Sequence, residues 1–153
     1  MKTGKRVLKV VREKYPTEDV YQNCKGEGIT VVRLEMEENC LGFYLPVDKI
    51  CRVIMLQAGQ TPEEKQEVVA NELYYYFTGV KKDPRPIEKR KLLRFFPYLI
   101  GHWQAHSFTA LLLCPNVSKY HSVQEVMEEY GCNKRVAEHR WKLEEEAMNY
   151  GGN

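Results

Sequence analysis

Apolar positions along the chain change their spacing several times, and each change marks an element. Val7, Leu8, Val10 and Val11 recur at helical spacing within Lys5–Lys14, just ahead of Tyr15-Pro16. A short amphipathic helix is expected there, ended because the residue before a proline is pushed toward extended backbone. Thr17 is placed to cap a second short helix through Cys24, and Lys25-Gly26-Glu27-Gly28 reads as a turn. Ile29–Met36 is rich in β-branched residues and is expected to be a strand, followed by strands over Leu41–Leu45 and Arg52–Leu56.

The longest apolar run lies in Thr61–Gly79, and it announces both of its ends. Thr61 with Glu64 forms a capping-box pattern, Pro62 suits the first helical position, and Gly79 suits a left-handed stop. From Val68 to Phe77 nearly every residue is apolar or aromatic, so this helix should be surrounded by protein. Downstream, a helix is expected from Pro97 through His102 to Leu113, stopped at Pro115. Ser122 caps Val123–Tyr130, Gly131 ends it, and Asn133 caps Lys134–Ala147. The fold expected is α+β: a small sheet of about three strands packed on a central helix, with a C-terminal helical tail. The whole of 1–153 reads as one domain, with N-terminal helices in 1–27, sheet and two core helices in 28–115, and the helical tail in 116–150.

Composition narrows the picture only a little. At 153 residues the chain can bury a real core. With 23 Lys and Arg against 21 Asp and Glu, net charge selects no class of partner. Five cysteines without a C-x-x-C pair read as reduced thiols, hence a cytoplasmic protein, and no signal peptide or membrane span is visible. The stretch Glu88–Phe96 carries Lys89, Arg90, Lys91 and Arg94 among apolar residues. It reads as an amphipathic helix or arm with a solvated basic face, or as a patch that meets an acidic partner or a phosphate backbone. The last two helices resemble a helix-turn-helix pair, but Glu138, Glu144, Glu145 and Glu146 dilute Lys134, Arg135, His139, Arg140 and Lys142. Direct DNA reading is therefore not expected.

Two polar residues, Asn71 and Glu72, interrupt the central apolar run. A carboxylate there needs a partner or a task. The simplest partner is a basic residue elsewhere in the core. The alternative comes from spacing: Asn71-Glu72-Leu73-Tyr74-Tyr75 has the frame of His-Glu-x-x-His, in which positions i and i+4 share a helix face and hold zinc while the Glu polarises its water. The Glu is present and both histidines are absent.

The order Leu41-Gly42-Phe43-Tyr44-Leu45, Arg52-Val53-Ile54-Met55-Leu56, then Val68–Tyr76 resembles the ImmA/IrrE family of metallo-endopeptidases. His102-Trp103-Gln104-Ala105-His106-Ser107-Phe108-Thr109-Ala110-Leu111-Leu112-Leu113-Cys114-Pro115 is similar to that family's second core helix, and Val123–Leu143 to its helical tail. The resemblance covers Gly28 to Leu143. It implies a zincin-like central helix, with the two histidine ligands falling on Asn71 and Tyr75, the acidic ligand on His102, and the catalytic glutamate on Glu72. All three metal positions are substituted. The implied protein is a pseudo-peptidase without cofactor that binds a protein partner, such as a helix-turn-helix regulator in a phage or mobile element. Its binding surface is expected at the sheet edge, beside Tyr74–Phe77 and along Lys89–Arg94. Two enzymatic readings stay open: a rewired zinc site using His102, His106 and Glu72, and a metal-free Glu72–His102 dyad.

Overall fold

The computed structural model of the chain describes residues 3–37, 40–46, 51–80 and 96–150. The expectations for Lys89, Arg90, Lys91 and Arg94, and for the proline-containing loop after Val80, lie outside the described residues. The described elements are helices α1 (Gly4–Lys14) and α2 (Val20–Gly26), strands β1 (Ile29–Leu34), β2 (Gly42–Pro46) and β3 (Arg52–Gln57), then helices α3 (Pro62–Thr78), α4 (Phe96–Leu113), α5 (Val123–Tyr130) and α6 (Lys134–Tyr150). This is the expected α+β architecture, a three-stranded sheet with helices and a helical C-terminal end. The sheet order is β1-β3-β2, with β1 parallel and β2 antiparallel to the central β3.

Local chemistry accounts for most element ends. The α3 capping box is complete: Glu64 N–H donates to Thr61 Oγ1, and Thr61 N–H donates to Glu64 Oε2 at 2.8 Å. Gly79 closes α3 at φ +68°, where a side chain would be strained, and its N–H reaches Tyr75 O. Several expected boundaries move, two of them with a visible cause. Asp19 rather than Thr17 caps α2, its carboxylate accepting from Tyr21 N–H and Gln22 N–H, while Thr17 Oγ1 accepts from Asp19 N–H. Strand β1 stops at Leu34, two residues short of Met36, where Gln57 takes over: its amide bonds Met36 N–H and Met36 O. On α1, Val7, Leu8 and Val11 are buried, whereas Val10 faces solvent.

One face of the sheet packs on α3. Ile29, Ile54 and Leu56 are buried on that face. Every residue of α3 from Glu67 to Tyr75 is buried, as its unbroken apolar run requires. At Gly42 strand and helix approach closely. A Cβ there would lie 2.6 Å from Val68 Cγ1 and 2.7 Å from Met55 O. The opposite side of α3 meets α4, with the Tyr74 and Phe108 rings 5.8 Å apart.

A polar knot ties the N-terminal helices to this core. The Glu27 side chain is 7% exposed and accepts from Lys14 Nζ, from Tyr15 Oη at 2.8 Å and from Tyr76 Oη at 2.6 Å. Arg52 adds Nη1–H bonds to Glu27 O at 3.0 Å and to Tyr76 Oη at 3.1 Å. Burial pushes the Glu27 carboxyl up, but the three donors outweigh it and hold the group below its ordinary value. Burial and the bond to Glu27 push the Tyr76 phenol up to about 12.

Gly42→Ala is expected to destabilise the fold by about 1–3 kcal/mol through overpacking, whereas Gly59→Ala, at a position open to solvent space, should be near neutral. Chemical denaturation of both variants checks this. A carboxyl held low in the folded state stabilises above its unfolded pKa, and that contribution is lost as pH falls through the folded value. Glu27→Gln should therefore lower the melting temperature at pH 7, and the difference from the parent should shrink below about pH 4.5. Thermal melts across that range read it directly.

Candidate functional site

Helix α3 carries the residues of interest on distinct stripes. At about 100° per residue, Val68, Glu72 and Tyr76 fall on one stripe, four residues apart. That stripe faces the sheet: Val68 lies against Gly42, and the Tyr76 ring meets Tyr44 edge-on at 5.6 Å. Glu72 sits between them, 1% exposed, and its Oε2 accepts from Tyr44 N–H at 3.1 Å.

The ladder explains why that N–H is on offer. Gln57 N–H donates to Leu41 O, so Leu41 and Gln57 form a hydrogen-bonded pair. By alternation the Tyr44–Ile54 pair is a non-bonded one, and Tyr44 N–H points away from β3. It is the kind of outward donor to which an added strand would pair. Glu72 takes it, and Pro46, two residues on, has no N–H to offer. The outer edge of β2 is thus blunted by a buried carboxylate and a proline.

The three positions that the resemblance gives to metal lie on α3 and α4. Asn71 is buried, and the buried Tyr75 ring packs edge-on against Tyr74 at 5.6 Å. On α4, His102 Nε2 and His106 Nε2 are 3.0 Å apart and share a hydrogen bond, one ring donating and the other accepting. Among the described residues, no three His, Cys, Asp or Glu side chains are grouped to hold a metal ion. Asn71 and Tyr75 do not fit a zincin zinc set: an amide and a phenol packed as core stand where it needs two imidazoles. Tyr74 and Tyr75 are core residues rather than the wall of a cleft, while Tyr76 and Phe77 are half-buried.

Five further polar contacts, in three groups, were not foreseen. Ser107 Oγ lies 3.1 Å from His139 Nε2, joining α4 to α6. Burial lowers the His139 pKa, Lys142 adds to the effect and Glu146 opposes it. Glu67, buried on α3, accepts from Asn133 Nδ2 and pairs with Arg135 Nη2 at 2.7 Å. Arg140 is buried, donating from Nε to Cys114 O at 2.9 Å and pairing with Glu144 at 2.8 Å. The one sequence signal for Glu67 is a charged residue bordering an apolar run. Nothing local marks Ser107 with His139, which are 32 residues apart.

No protein-family model, curated protein or solved structure matches this chain. No helix among the described residues is long and apolar enough to cross a membrane.

Removing the Glu72 carboxylate should strand the Tyr44 N–H and open a cavity. Glu72→Ala is expected to lose about 3 kcal/mol, and Glu72→Gln, which keeps an acceptor, less. Amide hydrogen exchange at Tyr44 should accelerate in the alanine variant relative to its neighbours in β2.

Proposed function

We propose that this chain is a zincin-like scaffold without peptidase chemistry, acting in the cytoplasm as a protein-binding regulator. The observation that carries the reading is the carboxylate of Glu72. In a peptidase of the resembled family it would polarise a metal-bound water; here it is buried and bonded to the backbone of β2. The substitutions at Asn71, Tyr75 and His102 agree with a site given over to packing.

Binding then falls to surface rather than cleft. Leu34, Leu41 and Leu45 are exposed, and strand alternation puts them on the sheet face turned away from α3. A helix-turn-helix regulator is the partner class that the resemblance suggests. Direct DNA reading is disfavoured, because Arg140 and His139 are engaged with Cys114 O and Ser107, and Glu138, Glu144, Glu145 and Glu146 dilute the charge of the exposed Lys134, Arg135 and Lys142. The second reading, a rewired metal site, draws on the two imidazole nitrogens of His102 and His106 on one face of α4.

The purified protein is expected to hold no stoichiometric zinc and to leave a co-expressed helix-turn-helix regulator intact while co-purifying with it. Cleavage that disappears in Glu72→Gln, or zinc that disappears in a His102→Ala, His106→Ala variant, would establish the rewired peptidase instead. The converse engineering has its own readout. Asn71→His, Tyr75→His and His102→Glu together should melt below the parent without metal, by about 1–3 kcal/mol for the lost ring packing, and recover on adding zinc. Identical melts with and without zinc in a folded variant would mean that the three positions do not converge.

A further inference from the structure

The C-terminal helical pair is joined to α4 at a point that the proposed function does not use. Cys114 directly follows α4, and Cys132 lies between Gly131, which ends α5, and Asn133, which leads into α6. Both are buried free thiols, and Cys114 Sγ donates to Cys132 Sγ at 3.4 Å. Bonding distance is about 2.05 Å, so closure needs a shift of well under the length of a side chain. The surroundings hold the two backbones in place on both sides. Arg140 clamps Cys114 O and Pro115 O, and Asn133 and Arg135, next to Cys132, hold Glu67 of α3.

We propose that Cys114 and Cys132 are a reversible dithiol–disulfide pair that staples the end of α4 to the α5–α6 turn when a peroxide is present. Cys132 is the residue an oxidant meets first, because it keeps 5% exposure where Cys114 keeps none. The hydrogen bond from Cys114 also holds the Cys132 thiol below its ordinary pKa, against burial, while that bond and burial raise Cys114. The Cys132 thiolate attacks one oxygen of the peroxide, the O–O bond breaks, and the departing hydroxide takes a proton to become water. Cys132 is left as a sulfenic acid. The Cys114 sulfur then attacks the Cys132 sulfur, the S–O bond breaks, and the hydroxyl leaves as water with the Cys114 proton. Two thiols lose two electrons and two protons, and hydrogen peroxide becomes two waters. A thiol reductant reverses the step by exchange.

The other cysteines provide internal controls. Cys24 is buried apart, and burial pushes its thiol up to about 12. Cys40 is half-buried and Cys51 exposed.

The test treats the folded protein with dilute hydrogen peroxide, alkylates remaining thiols in denaturant and maps peptides by mass spectrometry. Free thiols should fall from five to three per chain, with a Cys114–Cys132 linked peptide, and dithiothreitol should restore all five. The oxidised form should melt about 5–10 °C higher. In Cys114→Ser, Cys132 should stop at a sulfenic acid that dimedone traps, and in Cys132→Ser no linked peptide should form. Five surviving thiols, or oxidation confined to Cys40 and Cys51, would overturn the proposal. If a serine variant does not fold, the parent's peptide map decides alone.

Discussion

A helix buried on every side must find an internal partner for each polar atom it carries, and α3 is such a helix from Glu67 to Tyr75. Two of its carboxylates, and the Tyr76 hydroxyl just beyond, serve as attachment points. Glu67 reaches Asn133 and Arg135 at the start of the last helix. Glu72 reaches the backbone of β2, and Tyr76 reaches Glu27 and Arg52. Glu72 and Tyr76 are one turn apart on the face that meets the sheet, so the helix is set against β2 and β3 by two polar contacts and by the close approach at Gly42. The rest of the domain is arranged around these contacts.

The same constraint bears on chemistry. A general base in a metal site must be free to meet water and substrate. The Glu72 carboxylate is buried and accepts from one outward strand donor, the Tyr44 N–H. The Tyr75 ring lies edge-on to Tyr74 inside the core.

At the C-terminal end, part of the positive charge of α6 is engaged within the domain, while Lys134, Arg135 and Lys142 stay exposed. Arg140 is buried under the end of α4, Arg135 is held by a buried carboxylate, and His139 meets Ser107. These contacts, with the Cys114–Cys132 contact, make α5 and α6 part of the core's support.

The order and type of elements were legible in the sequence because their signals are local: the Thr61–Glu64 box, Pro62, Gly79, the Ser122 cap and the β-branched runs act within a few residues of themselves. So was the anomaly of Glu72, since a carboxylate inside an apolar run at helical spacing is visible in one dimension. Local signals failed where two of them competed, as at Thr17 and Asp19, both able to cap, where the cap fell to the carboxylate adjoining the helix. What Glu72 does was not legible. Among the described residues it accepts from a backbone N–H 28 residues away, exposed by the alternation of a ladder whose register only the paired strands define. The Glu27 knot, the Glu67 contacts, the Ser107–His139 bond and the Cys114–Cys132 contact have the same origin. Each joins ordinary residues that become neighbours only when separate elements pack, so tertiary structure alone decided them.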